Sequence, residues 1–409
     1  MNYRFYLVFT SFLILSNILK ADNFRIIGYL PTYRFSTIEE LEVEKLTHLN
    51  LAFGQATYDG KITLKGDYPY VIRRSKEKNP DLKVILSLAG GGLNGAQFAY
   101  WKKYMLLSNR SAFINQIVTF LKINNLDGVD VDLEWNNITS DYPGFVAELS
   151  DSIRINNFEI SAAFPAMKRY NVLTNADFDN FDYINVMAYD NAGPWQPNVI
   201  RQHSSFDLAE KSIEFWVNTC NIPRSRINLG IPFYGYDFAK KPVRGKTFAS
   251  IISADPELAF ADNTKKTFYN SIPTIIEKTQ LAKQQCGGVM LWEIGQDAIG
   301  EDGDYSLLHY VHNTAMTGGV GTFFPKIKKF TVIQSDESQL AIHIENNLVP
   351  GAYFVLKDIV GCANEQIHFD EFTDVINFDL AVYPRGVYIL SLVEPGLRPT
   401  TQKIMKLKG

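Results

Sequence analysis

Cysteine and histidine are scarce in this chain of 409 residues. Its three cysteines (Cys220, Cys286 and Cys362) lie far apart and are odd in number, so they cannot form a disulfide framework. Its six histidines are scattered, and none stands at metal-ligand spacing from a cysteine, so neither a metal nor another cofactor is expected. The net charge of −4 gives no reason to expect a nucleic acid or an anionic membrane as a partner. A chain of this composition must rely on its own apolar core, which its length and its apolar fraction of 46% allow.

Membrane-spanning apolar runs are missing as well. The stretch from Phe5 to Leu15 is almost wholly apolar, but it ends before Lys20 and is short for a bilayer-spanning segment. Arg4 supplies a basic end, and Ala21 is a small residue suited to cleavage. We therefore predict a secretory signal over residues 1–21 and a secreted protein, extracellular or at the cell surface. A retained membrane or lipoprotein anchor is the weaker alternative, since no cysteine follows the stretch.

Short apolar runs alternate with longer amphipathic stretches from residue 24 to about residue 295. The candidate strands are Arg25–Leu30, His48–Phe53, Lys83–Ala89, Gly128–Glu134, Glu159–Phe164, Tyr183–Tyr189, Ile227–Pro232 and Gly288–Glu293. Helical stretches fall between most of them, notably around 98–123, 142–155, 206–219 and 273–285. Eight strand–helix alternations predict an α/β fold, a (β/α)8 TIM barrel over residues 22–320, rather than a doubly wound sheet.

An acidic run, Asp127-Gly128-Val129-Asp130-Val131-Asp132-Leu133-Glu134, occupies the fourth candidate strand. Side chains alternate along a strand, so Asp130, Asp132 and Glu134 share one face at a spacing of about 7 Å, while the valines and leucine share the other. Carboxylates this close cannot all ionise cheaply, so one of them is held protonated near neutral pH, as a general acid requires. A calcium loop or an exposed acidic edge is the alternative, but the apolar intervening residues favour a strand. Asp127 is out of phase and is predicted to be a structural hydrogen-bonding residue.

These residues carry a resemblance to a known family. The acidic run resembles the D-x-x-D-x-D-x-E signature of family 18 glycoside hydrolases, the chitinase family. Ser87-Leu88-Ala89-Gly90-Gly91 is similar to the family's S-x-G-G element, except that Ala89 replaces a glycine. Met187-Ala188-Tyr189-Asp190 matches the family's M-x-Y-D element, and the resemblance extends over nearly all of residues 24–297.

The resemblance implies a retaining, substrate-assisted glycosidase that needs no metal. Glu134 would protonate the glycosidic oxygen and then activate water. Asp132 would hold the nitrogen of the substrate's acetamido group, and Asp130 would share a proton with Asp132 and help to set its pKa. Tyr189 would donate a hydrogen bond to the acetamido oxygen.

The resemblance also implies the residues that contact the sugar. Trp292 stands where the family has its sugar platform, and Asp190 with Trp195 resembles the loop on the leaving-group side. Met187 shares the face of Tyr189. Three aromatic residues at strand ends, Tyr29, Phe53 and Tyr234, either line the same pocket or pack in the core.

The implied partner is chitin or another oligosaccharide that contains N-acetylglucosamine, bound by a monomer. About 50 residues separate the seventh strand from the eighth, too few for the additional α+β domain that walls a deep cleft in some members of the family. The groove is therefore expected to be shallow and open, which favours internal cleavage. The alternatives are an endo-β-N-acetylglucosaminidase acting on the chitobiose core of N-glycans, or a non-catalytic chitin-binding lectin.

The chain changes character after about residue 320. Phe330–Ile344, Tyr353–Ile359 and Gly386–Val393 alternate apolar and polar residues, which predicts a small all-β, sandwich-like domain over residues 321–409. Asp358–Gly361, Pro384–Leu390 and Thr401–Lys406 resemble the motifs of a type IX secretion sorting domain, which implies secretion machinery as a second partner. A carbohydrate-binding or spacer module of similar shape is the alternative.

Overall fold

The computed structural model describes residues 24–253, 255–316, 330–334, 339–344, 352–358, 365–368, 375–384, 386–393 and 400–406. The predicted secretory signal over residues 1–21 lies outside these ranges. The chain divides into two compact units, Met1–Gly319 and Val320–Gly409.

A closed barrel of eight parallel strands forms the first unit. We number its strands 1 to 8 in chain order: Arg25–Pro31, His48–Ala56, Lys83–Ala89, Gly128–Asp132, Glu159–Pro165, Tyr183–Met187, Ile227–Pro232 and Gly288–Trp292. Each strand pairs with its neighbours in the sequence, and strand 1 pairs with both strand 2 and strand 8. The predicted TIM barrel is therefore confirmed, with strand ends within three residues of those expected from the apolar runs.

Helices surround this barrel. They are α1 Tyr68–Lys78, α2 Gly95–Met105, α3 Leu107–Ile123, α4 Tyr142–Ile155, α5 Phe206–Glu214, α6 Phe248–Ile252, α7 Ile272–Gln285 and α8 Leu307–Met316. The single helix expected over 98–123 is divided at Leu106, whose ψ of 143° is extended rather than helical. Within the described residues, no helix combines the length and the apolar character that crossing a membrane requires.

Strand 4 shows how the alternating pattern orients the acidic run. Val129, Val131 and Leu133 are buried in the layer between barrel and helices, as predicted. Asp130 and Asp132 therefore point into the barrel. Asp127 lies before the strand, and its Oδ2 accepts hydrogen bonds from the backbone N–H of Val84 (2.7 Å) and from the Lys76 ammonium (2.6 Å). Its predicted structural role is confirmed.

A small α+β insert follows strand 7 and corrects the expectation drawn from length. Its antiparallel sheet has the order Arg244–Thr247, Tyr234–Asp237, Thr267–Phe268 and Asn263–Thr264, and it is accompanied by α6. Strands of only two to four residues fit into a stretch that seemed too short for such an element. We refer to residues 234–268 as the insert.

The second unit consists of two antiparallel sheets. One has the strands Phe330–Gln334, Gln339–Ile344 and Val375–Asp379; the other has Glu365–His368, Tyr353–Asp358, Gly386–Val393 and Thr400–Lys406. Apolar residues of both sheets form one core, in which the rings of Phe330 and Phe354 lie 4.8 Å apart. The predicted all-β character is confirmed. Of the motif residues, those at 359–361 and Arg385 lie outside the described ranges.

Candidate active site

Asp130 lies at the centre of the barrel and is completely buried. Its Oδ2 accepts hydrogen bonds from the Tyr29 hydroxyl (2.7 Å) and Ser87 Oγ (2.8 Å). Its Oδ1 accepts hydrogen bonds from Ser161 Oγ (2.7 Å) and Asn185 Nδ2 (3.3 Å). Burial raises the pKa of Asp130, while these donors act in the opposite direction. Donors from four different strands thus fix this carboxylate in one orientation.

Asp132 lies two residues further along the same face and has the opposite environment. It is only 3% exposed, yet its Oδ1 finds no hydrogen-bond partner among the described residues. Burial raises its pKa well above the usual value, and the neighbouring charges of Glu134 and Asp130 add to this effect. Side-chain donors favour the charged form of Asp130, whereas neither burial nor the neighbouring charges favour the charged form of Asp132. A buried oxygen without a partner is costly unless a ligand supplies one.

Glu134 lies just beyond strand 4, at the start of the short helical turn Trp135–Asn137. It is half-buried, and burial followed by the charge of Asp190 raises its pKa to about 7. Hydrogen bonds from the Trp135 side chain and from the backbone N–H of Gly91 act in the opposite direction. This carboxyl group is therefore protonated in a large share of molecules near neutral pH, as a general acid must be.

The end of strand 3 approaches Glu134 closely. A Cβ atom on Gly91 would lie 2.8 Å from Glu134 Oε1, so only glycine allows this contact without displacing the carboxyl group. Ala89 and Gly90 both have positive φ, 73° and 78°, a region that favours glycine. A glycine at position 89 would thus relieve strain at a turn that faces the acid.

A cleft of about 660 Å³ opens beside Glu134. We call it the acid cleft; it is lined by Glu134, Trp135, Met187, Tyr189, Asp190 and Trp195, among others. Trp135 and Trp195 are 53% and 54% exposed, so large aromatic faces are available to a ligand. Tyr189 is 9% exposed, and burial raises the pKa of its hydroxyl well above the usual range, so it remains a proton donor.

Trp292 lies at the end of strand 8 and is half-buried. Its ring stacks on that of Phe53 (5.7 Å, 24°) and meets that of Tyr29 edge-on (5.5 Å). Glu293, which follows it, is completely buried and accepts hydrogen bonds from Arg34 Nε (3.1 Å) and the backbone N–H of Gly295 (2.9 Å). These contacts hold the tryptophan in place.

A second cleft, of about 450 Å³, lies against Phe53 and is lined by Tyr33, Tyr58 and Tyr100 as well. We call it the tyrosine cleft. Tyr33 and Tyr58 are 70% and 74% exposed, although both are large and largely apolar. Exposed aromatic residues beside a cleft are typical of a binding surface.

Asp190 is fixed by the insert. Its Oδ1 accepts hydrogen bonds from the hydroxyls of Tyr234 (2.6 Å) and Tyr236 (3.0 Å), and its φ is +61°. The buried ring of His203 packs against both tyrosines. Tyr234 therefore contributes to the site through Asp190 rather than by direct exposure to a ligand.

The structure places several of the predicted site residues in the two clefts and buries others. Glu134, Met187, Tyr189, Asp190 and Trp195 line the acid cleft, and Phe53 lines the tyrosine cleft. Tyr29 (1% exposed) and Tyr234 (7% exposed) are buried, and each holds a carboxylate. For these two residues the burial agrees with the second alternative, packing in the core, and their contact with a sugar stays a prediction.

Four residues that hold the site were missed in the sequence. These are Ser161, Asn185, His203 and Tyr236. Asn185 stands two residues before Met187 on the same inward face of strand 6, and Tyr236 stands two residues after Tyr234, so alternation alone could have indicated both. Ser161 and His203 carry no comparable local signal.

Known proteins resemble this barrel. A sequence model of glycosyl hydrolases family 18 matches residues 25–297. The crystal structure of the GH18 chitinase ChiB from the chitin utilization locus of Flavobacterium johnsoniae is 41% identical with a TM-score of 0.69, covering 71% of this chain and 93% of that chain. A chitinase from Bacteroides thetaiotaomicron is 27% identical with a TM-score of 0.63, covering 72% of this chain and 97% of that one.

Among curated relatives, a chitinase-like effector of Moniliophthora roreri is 28% identical over 222 residues, which is 48% of this chain and 54% of that protein. The chain therefore spans about half the length of that relative. The family match covers most of the chain, and the acidic strand lies inside it. The chain belongs to family 18 of the glycosyl hydrolases.

Proposed function

We propose that this protein is a secreted chitinase, which hydrolyses β-1,4-linked N-acetylglucosamine polymers with retention of configuration. The observation that carries the proposal is the unpartnered, buried Oδ1 of Asp132, which lies between a fixed carboxylate and an acid with a pKa of about 7. A buried acceptor without a donor suits the N–H of an acetamido group, and the neighbouring Glu134 suits proton transfer to a leaving oxygen.

In the first step, Glu134 donates its proton to the glycosidic oxygen as the bond to the anomeric carbon breaks. The carbonyl oxygen of the substrate's own 2-acetamido group attacks that carbon and forms a cyclic oxazolinium ion. The proton that Asp130 and Asp132 share moves to Asp130 as the charge develops, so that Asp132 accepts a hydrogen bond from the acetamido N–H and its negative charge stabilises the cation. The Tyr189 hydroxyl donates to the acetamido oxygen and orients it for attack.

In the second step, Glu134, now ionised, removes a proton from a water molecule. The water attacks the anomeric carbon from the side that the leaving group vacated, and the acetamido group is released. Two inversions give net retention. The donors around Asp130 keep its charge next to Asp132, so the pair can carry one proton without moving the backbone.

The substrate must carry an acetamido group at the reacting sugar, because that group is the nucleophile. Cellulose and starch lack it and are expected to be inert. Trp292 offers an aromatic face on which a pyranose ring can pack.

Internal cleavage of the polymer is supported by the two clefts. Exposed aromatic residues line the acid cleft (Trp135, Trp195), which lies at the ends of strands 4 to 6, and the tyrosine cleft (Tyr33, Tyr58), which lies at the ends of strands 1 and 2. A chain bound in both clefts would extend in both directions from the scissile bond, as endo-acting hydrolysis requires. Secretion rests on the signal predicted over residues 1–21, and a sorting role of the C-terminal unit rests on the resemblance of its sequence motifs.

The experiment compares Glu134→Gln with the wild type on chitin oligomers and a fluorogenic chitobiose reporter. Glu210→Gln, an exposed glutamate on α5, is the matched control. We expect Glu134→Gln to lose at least about a thousandfold in kcat while still binding oligomers, and Glu210→Gln to match the wild type. The first product released from the oligomers should be the β-anomer. Turnover by Glu134→Gln, or release of the α-anomer first, would contradict the mechanism.

Two other outcomes would redirect the assignment. Hydrolysis of a high-mannose glycoprotein without hydrolysis of colloidal chitin would identify an endo-β-N-acetylglucosaminidase. Binding of chitin by a wild type that hydrolyses neither substrate would identify a lectin.

A further inference from the structure

We infer that His203 is a positioning residue, which holds Asp190 in place beside the proton donor Glu134. The inference rests on the proposed function for its kinetic readout, but its structural readout does not depend on turnover. It follows from the contacts of a histidine that is completely buried and is not among the residues that line either cleft.

The two ring nitrogens of His203 have different partners. Nδ1 lies 3.4 Å from the backbone nitrogen of Asp190, and Nε2 lies 3.2 Å from the carbonyl oxygen of Tyr234. A backbone N–H can only donate and a carbonyl oxygen can only accept, so the proton must reside on Nε2. Through these two hydrogen bonds the imidazole bridges Asp190, three residues beyond strand 6, to the first residue of the insert.

The same ring also supports the side-chain donors to Asp190. It lies 5.1 Å from the ring of Tyr234 and 5.0 Å from that of Tyr236. Both hydroxyls reach Asp190 Oδ1 (2.6 and 3.0 Å). His203 thus contacts the Asp190 backbone directly and the Asp190 carboxylate through two tyrosines. Its Nδ1 is 3.5 Å from Oδ1, so no water separates the two residues.

Hydrogen bonds of the next residue, Ser204, hold the chain beside His203 in place. Ser204 Oγ donates to the carbonyl oxygen of Ala188 (2.8 Å), and the Ser204 carbonyl accepts hydrogen bonds from Lys278 Nζ (2.7 Å) and Asn270 Nδ2 (2.8 Å). Lys278 is completely buried on α7, and burial lowers its pKa to about 7. These bonds leave the imidazole little freedom to move.

Asp190 needs such support. Its side chain is 39% exposed, and its backbone is in the left-handed region, where a residue with a Cβ is strained unless its surroundings hold it. Released from His203, Asp190 would relax, and its charge would move away from Glu134. The titration of Glu134 would then change, although His203 does not touch the acid.

Two isosteric variants separate the roles of the two nitrogens. In His203→Asn the amide oxygen lies where Nδ1 was and can still accept from Asp190. In His203→Gln the amide group reaches the Nε2 position and can still donate to Tyr234, but the acceptor for Asp190 is lost. A merely structural role would predict equal damage from both variants.

The kinetic experiment measures kcat/KM against pH on the chitobiose reporter. We expect His203→Gln to move the basic limb down by roughly half a pH unit or more and to lower kcat about tenfold, with KM within about twofold. His203→Asn should keep the limb of the wild type. The inference would be overturned if the basic limb of the kcat/KM profile lay at the same pH in the wild type and His203→Gln. It would also be overturned if this limb shifted equally in both variants.

The second experiment requires no activity. Carboxyl-¹³C NMR should show a lower pKa of Glu134 in His203→Gln than in the wild type, with Glu134→Gln used to assign the signal. Imidazole ¹⁵N NMR of the wild type should show the proton of His203 on Nε2; a proton on Nδ1 would overturn the inference even if the variants failed to fold. A wild type that is inactive on every substrate would refute the proposed function alone, because both NMR readouts would remain.

Discussion

Gly91→Ala is the most direct test of the geometry around the acid. The added Cβ would lie 2.8 Å from Glu134 Oε1 and 2.9 Å from both Cδ and Oε2, whereas ordinary contacts begin at 3.4 Å. The strain falls on the free end of a side chain and not on backbone, so the carboxyl group would retreat by roughly half an ångström. Gly91 is exposed and its φ is not positive, so alanine is compatible with the fold.

The magnitude follows from how steeply proton transfer depends on distance. A misplacement of about 1 Å costs roughly a hundredfold in rate, so half that distance is expected to cost about tenfold in kcat, or about 1.4 kcal/mol. KM should stay within about twofold of the wild type, because Trp292 and the exposed aromatic residues remain unchanged. The loss of the Gly91 N–H as a well-placed donor should also raise the pKa of Glu134 and move the basic limb of the pH profile upward.

Gly92→Ala is the matched control, since a Cβ at Gly92 would meet nothing within 4 Å. Both variants would be assayed on the chitobiose reporter between pH 4 and pH 9, with thermal unfolding of each recorded in parallel. If Gly91→Ala were as active as Gly92→Ala, at an unchanged unfolding temperature, the acid would not be confined by strand 3 and the reasoning would fail.

Three further changes test the electrostatics and the backbone. Asp190→Asn removes the charge that helps to raise the pKa of Glu134 to about 7, so the basic limb of kcat/KM should fall by about one pH unit; an unmoved limb would show that burial alone sets this pKa. Burial raises the pKa of Glu159, but His48 and Lys83 together outweigh it and lower the value to about 2. Stability from this group is therefore complete above pH 4.5 and lost as pH falls toward 2, so Glu159→Gln should cost about 2 kcal/mol in urea unfolding at pH 6 and much less at pH 2.5. Ala89→Gly should raise the free energy of unfolding by about 1 kcal/mol, since φ is +73° at that position; a loss of stability would argue against the strained turn.

The barrel could be predicted from sequence because each of its strands is a continuous or alternating apolar run. Lys83–Ala89 and Ile227–Pro232 have the predicted bounds, while strand 4 ends at Asp132, two residues earlier than expected. Glu134 therefore lies outside the hydrogen-bonded part of strand 4, and its backbone is less constrained. No glycine or proline near Leu106 indicates in the sequence that the helix breaks there.

The partners within the site were much harder to predict. Asp130 is held by side chains from strands 1, 3, 5 and 6, and only closure of the barrel brings them within 3.3 Å. His203 stands 13 residues beyond Asp190 in a segment without regular structure, so no periodicity indicates that the two meet. Local patterns encode which way a side chain points, but not which distant residue it meets.

The insert has a consequence for how the proposed activity could adapt. It lies outside the barrel, yet its first strand contributes both phenol groups that restrain Asp190. Substitutions in the insert could change the pH at which the proposed hydrolysis is fastest, while every carboxylate of strand 4 stays the same. The barrel would then supply the residues that react, and the insert would set the pH at which they react fastest.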